Sequence, residues 1–599
     1  LTFLKESVFS GTGKTTLLNI LLDRNLAGLD VEGEVLVNGQ SIGRGVTSVS
    51  AYVQQEDLFV GTLTVREHLM IQAKLKLPSS FNHAMRVARV DEVMTDMLLE
   101  KSQSSRIGVP GVVKGISGGE MKRLAFASEM LSNPQIFFCD EPTSGLDSYM
   151  AELVVTKLES LAGDRGKTII CTIKQPSSEV FNLFDKVSSF VAVVFLVQGR
   201  VAFHGAPNEA VAFFAKCGYM VPDHTNPADH FSDVIDLFEQ RFEKVLAIWP
   251  EKIEECKKKT NAICDEFANS KYLEDLEAKM KAAEQKRSLR PHHGPGFYRL
   301  VSALFERYAK DNIRNKSMLR AKFVQKTFMA LFLGFLYFQT QPDQDGVTNL
   351  KGILFFFCSE LTYPTVYGIQ TYMPTEFALL VREYHNGNYP VLAYYLAKIT
   401  SYMPIFSTDG IILTGVAYWL IGLAPDPARY FRVVFTGVLV ELMVASLGVA
   451  VCSMSPSYAV AVTITGPLLT IYSMTGGLFT NVAMLPDWIR WVQYLSWFRF
   501  GYESFIITEW TYEKYDNITC TMSSGKVAES CEHSGAEVIR ASLFSVFFAL
   551  WKAKARQGES NLNFNESNMY FNWLCMLAYT IAHYCVGYIA LTRRVLSHR

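Results

Sequence analysis

Ser10-Gly11-Thr12-Gly13-Lys14-Thr15-Thr16, followed by the apolar run Leu17–Leu22, decides the reading of the first half of the chain. Glycines let backbone N–H groups turn inward around phosphate oxygens, and the N-terminus of the following helix adds a favourable dipole. In this spacing Lys14 neutralises the β- and γ-phosphates of a nucleotide, while the Thr15 hydroxyl holds Mg²⁺. The full pattern G-x-x-x-x-G-K-[ST] has glycine where this chain has Val8.

A second stretch supports the first. Ile136-Phe137-Phe138-Cys139-Asp140-Glu141-Pro142 reads as an apolar strand ending in two carboxylates. Buried strands are continuous apolar runs, and ligands gather at their carboxyl ends. Asp140 can hold Mg²⁺ through water there, and Glu141 can polarise an attacking water as general base. An ordinary buried strand with an acidic turn is the plainer reading. A phosphate loop upstream in the same domain makes it the weaker one.

Beyond about Arg320 the composition changes to long apolar stretches. Crossing the hydrocarbon core takes roughly 20 mostly apolar residues. The candidate spans are about Phe323–Phe338, Ile353–Met373, Ile399–Leu423, Phe431–Met454, Tyr458–Phe479 and Tyr570–Leu591. Six spans leave both chain ends on one side. Arg314, Lys316, Arg320 and Lys322 before the first span, with Arg593, Arg594 and Arg599 after the last, mark that side as cytosolic. The outer segment, about 511–568, then carries the sequons at Asn517 and Asn565 and the pair Cys520 and Cys531, an oxidising-side set. Asp409 and Glu441 fall inside spans, where a carboxylate either serves a translocation path or makes a packing hydrogen bond. The net charge of −1 over 599 residues gives no case for nucleic-acid binding. The 11 cysteines lack metal-ligand spacing. The chain opens almost directly into the phosphate loop, with no signal-peptide pattern ahead of it.

The ordered set of motifs resembles the ATP-binding cassette proteins. Ser117-Gly118-Gly119-Glu120 looks like their signature, Ser144-Gly145-Leu146-Asp147 like their D-loop, and Gln55 like their Q-loop glutamine, a further Mg²⁺ ligand. A cassette ahead of six spans resembles subfamily G, as do Asn226-Pro227-Ala228-Asp229 and Tyr494-Leu495-Ser496-Trp497-Phe498-Arg499-Phe500. Arg123-Leu124-Ala125-Phe126-Ala127-Ser128-Glu129 and Gly199-Arg200-Val201-Ala202-Phe203 look most like the insect white, scarlet and brown group.

The resemblance implies an α/β cassette, a mixed sheet with a helical subdomain, over 1–240. A charged connector follows over 241–295, a connecting-helix region over 296–322, and an all-α six-helix membrane domain over 323–599. It implies ATP and Mg²⁺ as cofactors, a second half-transporter subunit as partner, and contact with membrane lipid. Ser117, Gly118, Gly119 and Glu120 would close over the partner's ATP. The substrate would be a small aromatic or amphipathic pigment precursor, with a sterol or lipid as the alternative, at the plasma membrane or a granule membrane.

Departures from the family are equally specific. Lys174 stands where the family has a switch histidine, and a lysine is a point charge rather than a neutral imidazole. This favours slow hydrolysis at the chain's own site, and so a partner subunit that binds ATP without turning it over. Residues 1–9 are too few for the strands and the adenine-stacking aromatic that usually precede the loop. Val187–Gln198 and Arg540–Asn561 run longer than the family pattern.

Overall fold

The computed structural model describes residues 2–6, 13–24, 26, 28–109, 113–163, 167–173, 192–197, 200–222, 230, 250–283, 294–479, 486–519, 531–541 and 568–597. Two compact units divide the chain. One is Leu1–Arg307 with Leu379–Ala393 and Ser597–Arg599; the other is Tyr308–Ala378 with Tyr394–Leu596.

The first unit is built on strands β1 (Thr2–Glu6), β2 (Leu36–Val37), β3 (Gln40–Ser41), β4 (Ser50–Val53), β5 (Ile136–Asp140), β6 (Thr168–Ile173), β7 (Ala192–Val197) and β8 (Arg200–Gly205). Six of them form one sheet in the order β4-β5-β6-β1-β7-β8, and β2 and β3 form a separate hairpin. Neighbours in the large sheet are parallel except the antiparallel pair β7 and β8. The apolar run predicted at Ile136 is β5, and its Phe137, Phe138 and Cys139 are buried. Helix α1 (Lys14–Leu21) packs Leu18 and Leu22 against Tyr52, Phe138, Val194 and Leu196.

One sequence expectation changes here. The few residues ahead of the phosphate loop do supply a strand, and β1 sits between β6 and β7. Residues 192–197, within the apparent excess, form β7 and pair with both β1 and β8. The strand expected in this segment is therefore present, and the rest of Val187–Gln198 lies outside the described residues.

Helices α2 (Val65–Lys76), α3 (His83–Asp96) and α4 (Gly118–Met130) make the helical subdomain, and α5 (Ser148–Gly163) follows β5. Thr64 opens α2 with a capping box: its hydroxyl accepts from Glu67 N while the Glu67 carboxylate accepts from Thr64 N. After α6 (Pro207–Lys216), the charged connector includes two helices, α7 (Pro250–Ala268) and α8 (Lys271–Ala283). It is not wholly solvated. Ile263, Cys264 and Phe267 are buried, and the Phe267 ring meets Phe203 of β8 at 5.8 Å.

The second unit is helical. After α9 (Phe297–Arg314) come α10 (Lys316–Leu336), α11 (Gln344–His385), α12 (Val391–Ile421), α13 (Pro427–Met454), α14 (Tyr458–Met474), α15 (Trp497–Trp510) and α16 (Asn568–Ser597). Each predicted span falls on one of these helices. Among the described residues α12, α13 and α16 are long and apolar enough to cross a membrane. Helix α14 is apolar but shorter, at 17 residues. Helix α10 carries Lys316, Arg320, Lys322 and Lys326, and α11 mixes Thr, Tyr, Gln and Glu360 into its apolar run. Helix α15 is buried along its length except at Arg499. Its 14 residues rise about 21 Å, short of a ~30 Å hydrocarbon core.

Both carboxylates predicted inside spans have partners within this unit. Asp409 Oδ2 lies 3.2 Å from Lys322 Nζ, and Glu441 accepts the Thr365 hydroxyl.

Candidate nucleotide site

The phosphate loop runs into α1 through Gly13, whose φ of +97° lies in the left-handed region that favours glycine. Lys14 is the first residue of α1, is buried, and places Nζ 3.9 Å from Glu141 Oε1. Thr15 is exposed and donates its hydroxyl to Asp140 Oδ2 at 2.8 Å. Thr16 continues α1, half-buried. Ser10, Gly11 and Thr12, with Val8, lie outside the described residues, as does Lys174 just beyond β6.

Parallel register between β5 and β6 sets Asp140 beside Thr172, whose hydroxyl donates to Asp140 Oδ1 at 2.7 Å. Tyr52, from the neighbouring strand β4, donates to Asp140 Oδ2 at 3.3 Å. Burial, with the Asp140 carboxylate beside it, pushes the Tyr52 hydroxyl far above its ordinary range, so it remains a donor. Glu141 follows with φ +46°, a strained conformation for a residue with a Cβ. It is held by two bonds. Its N–H donates to Thr172 Oγ1 at 2.9 Å, and its Oε2 accepts from Gln55 Nε2 at 2.9 Å.

Thr15, Asp140 and Gln55 thus bring hydroxyl, carboxylate and amide donors to the carboxyl edge of the sheet. That all-oxygen set suits a hard divalent cation such as Mg²⁺. Lys14 and the N-terminus of α1 supply positive charge beside it for phosphate.

The signature residues sit at the opening of α4. Ser117 is its N-cap, and Glu120 closes the capping box by accepting from Ser117 N at 2.9 Å. Burial alone would raise Glu120, but the bonds from the Ser117 N–H and hydroxyl outweigh it and hold the carboxyl below its usual range. Ser117 and Gly118 face outward, and a Cβ on Gly118 would touch nothing. Gly119 is nearly as open. In the D-loop, Ser144 and Gly145 are exposed and Leu146 half-buried, while Asp147 Oδ1 caps Met150 N at 2.9 Å.

Several residues that motif reading missed complete this unit. Lys122 of α4, 2% exposed, donates to the Gln55 carbonyl at 2.8 Å and to the Gln54 carbonyl at 3.2 Å. The helix carrying the signature therefore pins the Q-loop backbone. The Leu379–Ala393 segment belongs to this unit. Within it Glu383 accepts from Arg307 at 2.8 Å, from Gln72 at 2.9 Å and from the Tyr389 hydroxyl. Burial would raise the Glu383 carboxyl, yet Arg307 and Tyr389 overcome it and hold it at about 2. Arg382 donates to the Leu58 carbonyl, next to the Q-loop. A buried charge with a far-off partner has no signature in a linear pattern.

Of the outer-segment residues, Asn517 is exposed and Cys531 is disulfide-bonded. Cys520 and Asn565 lie outside the described residues, as do Asn226-Pro227-Ala228-Asp229.

Comparison with known proteins agrees with this geometry. A family model for ABC transporters matches residues 9–144, and two for ABC-2 type transporters match residues 174–338 and 299–510. The ABC transporter ATP-binding protein/permease wht-3 of Caenorhabditis elegans is 38% identical over 505 residues, covering 84% of this chain and 78% of its own. Protein white of Drosophila melanogaster is 37% identical over 544 residues, 90% of this chain and 76% of its own. Protein scarlet of the same fly is 34% identical over 595 residues, 98% and 83%. Matched by family models over both its cassette and its helical domain, and aligned along most of these relatives, the chain belongs to the subfamily G half-transporters, ATP-binding cassette ATPases coupled to transport across a membrane.

Proposed function

We propose that the chain works as one half of a dimer in which each signature closes over the partner's ATP. Transport would load a granule, or export to the outside, a small aromatic or amphipathic compound of the pigment-precursor kind. The observation that carries the dimer is the open face at Ser117, Gly118 and Gly119, together with one phosphate loop and one signature in the chain. Two chains would complete two sites.

In each site Lys14 and the backbone of the loop hold the phosphates. Thr15, Gln55 and Asp140 would hold Mg²⁺, which supplies neutralising charge to the phosphate oxygens. Glu141, oriented by Gln55 and Thr172, accepts a proton from the attacking water on its carboxylate. The chain would cross the membrane six times with both termini cytosolic, a reading supported by the Lys/Arg flanks of the first and last spans and by a sequon and the bonded Cys531 sharing one outer segment.

Purified protein in lipid nanodiscs tests this reading by its ATPase rate and oligomeric state. Stimulation by tryptophan- or guanine-derived compounds supports the substrate class. Stimulation by sterols or phospholipids alone replaces it with a lipid exporter. A monomeric particle that still hydrolyses ATP would sink the dimer.

Lys174 favours a second reading, a subunit that binds ATP while a different partner hydrolyses it. On that reading Lys174→His raises turnover, and an unchanged rate removes it.

A further inference from the structure

Asp140 is 2% exposed, and its two oxygens accept three hydroxyls. Thr172 serves Oδ1, while Thr15 and Tyr52 share Oδ2. Thr15 is the hydroxyl that a bound magnesium ion takes for itself. Tyr52 is then the donor left to fix Oδ2.

The Tyr52 ring is itself held. The Arg24 guanidinium lies 4.9 Å from the ring centroid, and Arg24 is 4% exposed. Its Nη2 donates to the His385 carbonyl at 2.8 Å and to Asn386 Oδ1 at 2.7 Å, whereas Nε and Nη1 have no hydrogen-bond partner. A buried guanidinium with three of its five N–H donors unfilled is placed by the contacts it does make, here one aromatic face and one turn. Asn386 is anchored in turn, donating to Glu129 Oε1 at 3.3 Å, and Glu129 pairs with Lys76 at 2.7 Å.

We propose that Tyr52 is a positioning residue for Asp140, and that Arg24 ties this positioning to the Leu379–Ala393 segment, at the turn after α11. The affinity of the nucleotide site for magnesium then depends on how the turn is seated. By linkage, magnesium–nucleotide binding changes the seating of the turn by the same factor. The inference rests on reading Asp140 as a magnesium-holding carboxylate.

The test is equilibrium binding of a fluorescent ATP analogue to the full-length protein, titrated with magnesium chloride. Tyr52→Phe removes the hydroxyl and keeps the ring. It raises the magnesium concentration at half-saturation by roughly three- to tenfold, the net scale of one ordinary hydrogen bond, as the 3.3 Å separation implies, and leaves magnesium-free binding unchanged. Asn386→Ala and Arg24→Lys shift the midpoint the same way by a smaller factor. Asn386→Ala added to Tyr52→Phe shifts it no further, because the hydroxyl it acts through is gone.

An additive double variant overturns the link to the turn. An unchanged midpoint in Tyr52→Phe overturns the proposal, and a lower melting temperature without a midpoint shift does the same by assigning a structural role alone. Nucleotide binding with no magnesium dependence in the parent protein would instead overturn the reading of Asp140 itself.

Discussion

Glu141 holds φ +46° at the end of β5, and a residue with a Cβ stays there only when its surroundings impose it. Thr172 and Gln55 do so, which aims the carboxylate beside Lys14. Glu141→Gln keeps the shape and removes the proposed base, so ATP hydrolysis is expected to fall by at least about a hundredfold while nucleotide binding persists. Rate assays beside binding titrations check this. His68 gives a second prediction. It is buried, and its Nε2 lies 3.1 Å from Ser128 Oγ, whose own proton goes to the Leu124 carbonyl, so the ring is the donor. Burial lowers its pKa to about 3, so it stays neutral in the fold. An unfolded histidine takes a proton near pH 6.5, so stability is full above that pH and is lost as pH falls toward 3. Between pH 6.5 and 5 the loss is about 2 kcal/mol, and in His68→Gln the cassette's melting point changes less over that interval.

At the level of elements, the parallel register of β5 with β6 makes Thr172 a neighbour of Asp140, and the capping box of α4 presents the signature. The Leu379–Ala393 segment depends on a buried pair. Arg307 and Glu383 are each 1–2% exposed, so removing one partner strands the other charge. Glu383→Gln is expected to destabilise the cassette transition by about 3–5 kcal/mol, with Arg307→Met added to it restoring most of the loss. Thermal unfolding of the two variants measures both. Because Glu383 sits at about 2 in the fold, the pair is intact above the ordinary carboxyl pKa and weakens only as pH drops from there toward 2.

Two copies of the molecule allow a test that one copy does not. Lys14→Ala disables a phosphate loop and Ser117→Arg blocks a signature, so neither homodimer has a working site. Co-expressed and self-pairing, the two variants retain one intact site, formed from the loop of the Ser117→Arg chain and the signature of the Lys14→Ala chain. ATPase activity of the purified mixed dimer, absent from either variant alone, is the expected outcome. No recovery means that sites are not shared between chains.

Motif spacing sufficed for the strand at Ile136–Asp140, the helices that open at Lys14 and Gly118, and the positions of the membrane-domain helices. Those features are local, set by the order of residue types over a few turns or one strand. The tertiary structure decided the rest. It put β1 in the middle of the sheet from only a few residues and gave β7 two partners. It turned one face of the connector inward, and it brought Arg24, Lys122 and Glu383 to partners far along the chain. Each of these is a buried polar or edge-pairing choice, settled by which distant group meets a desolvated atom, and no linear pattern carries that information.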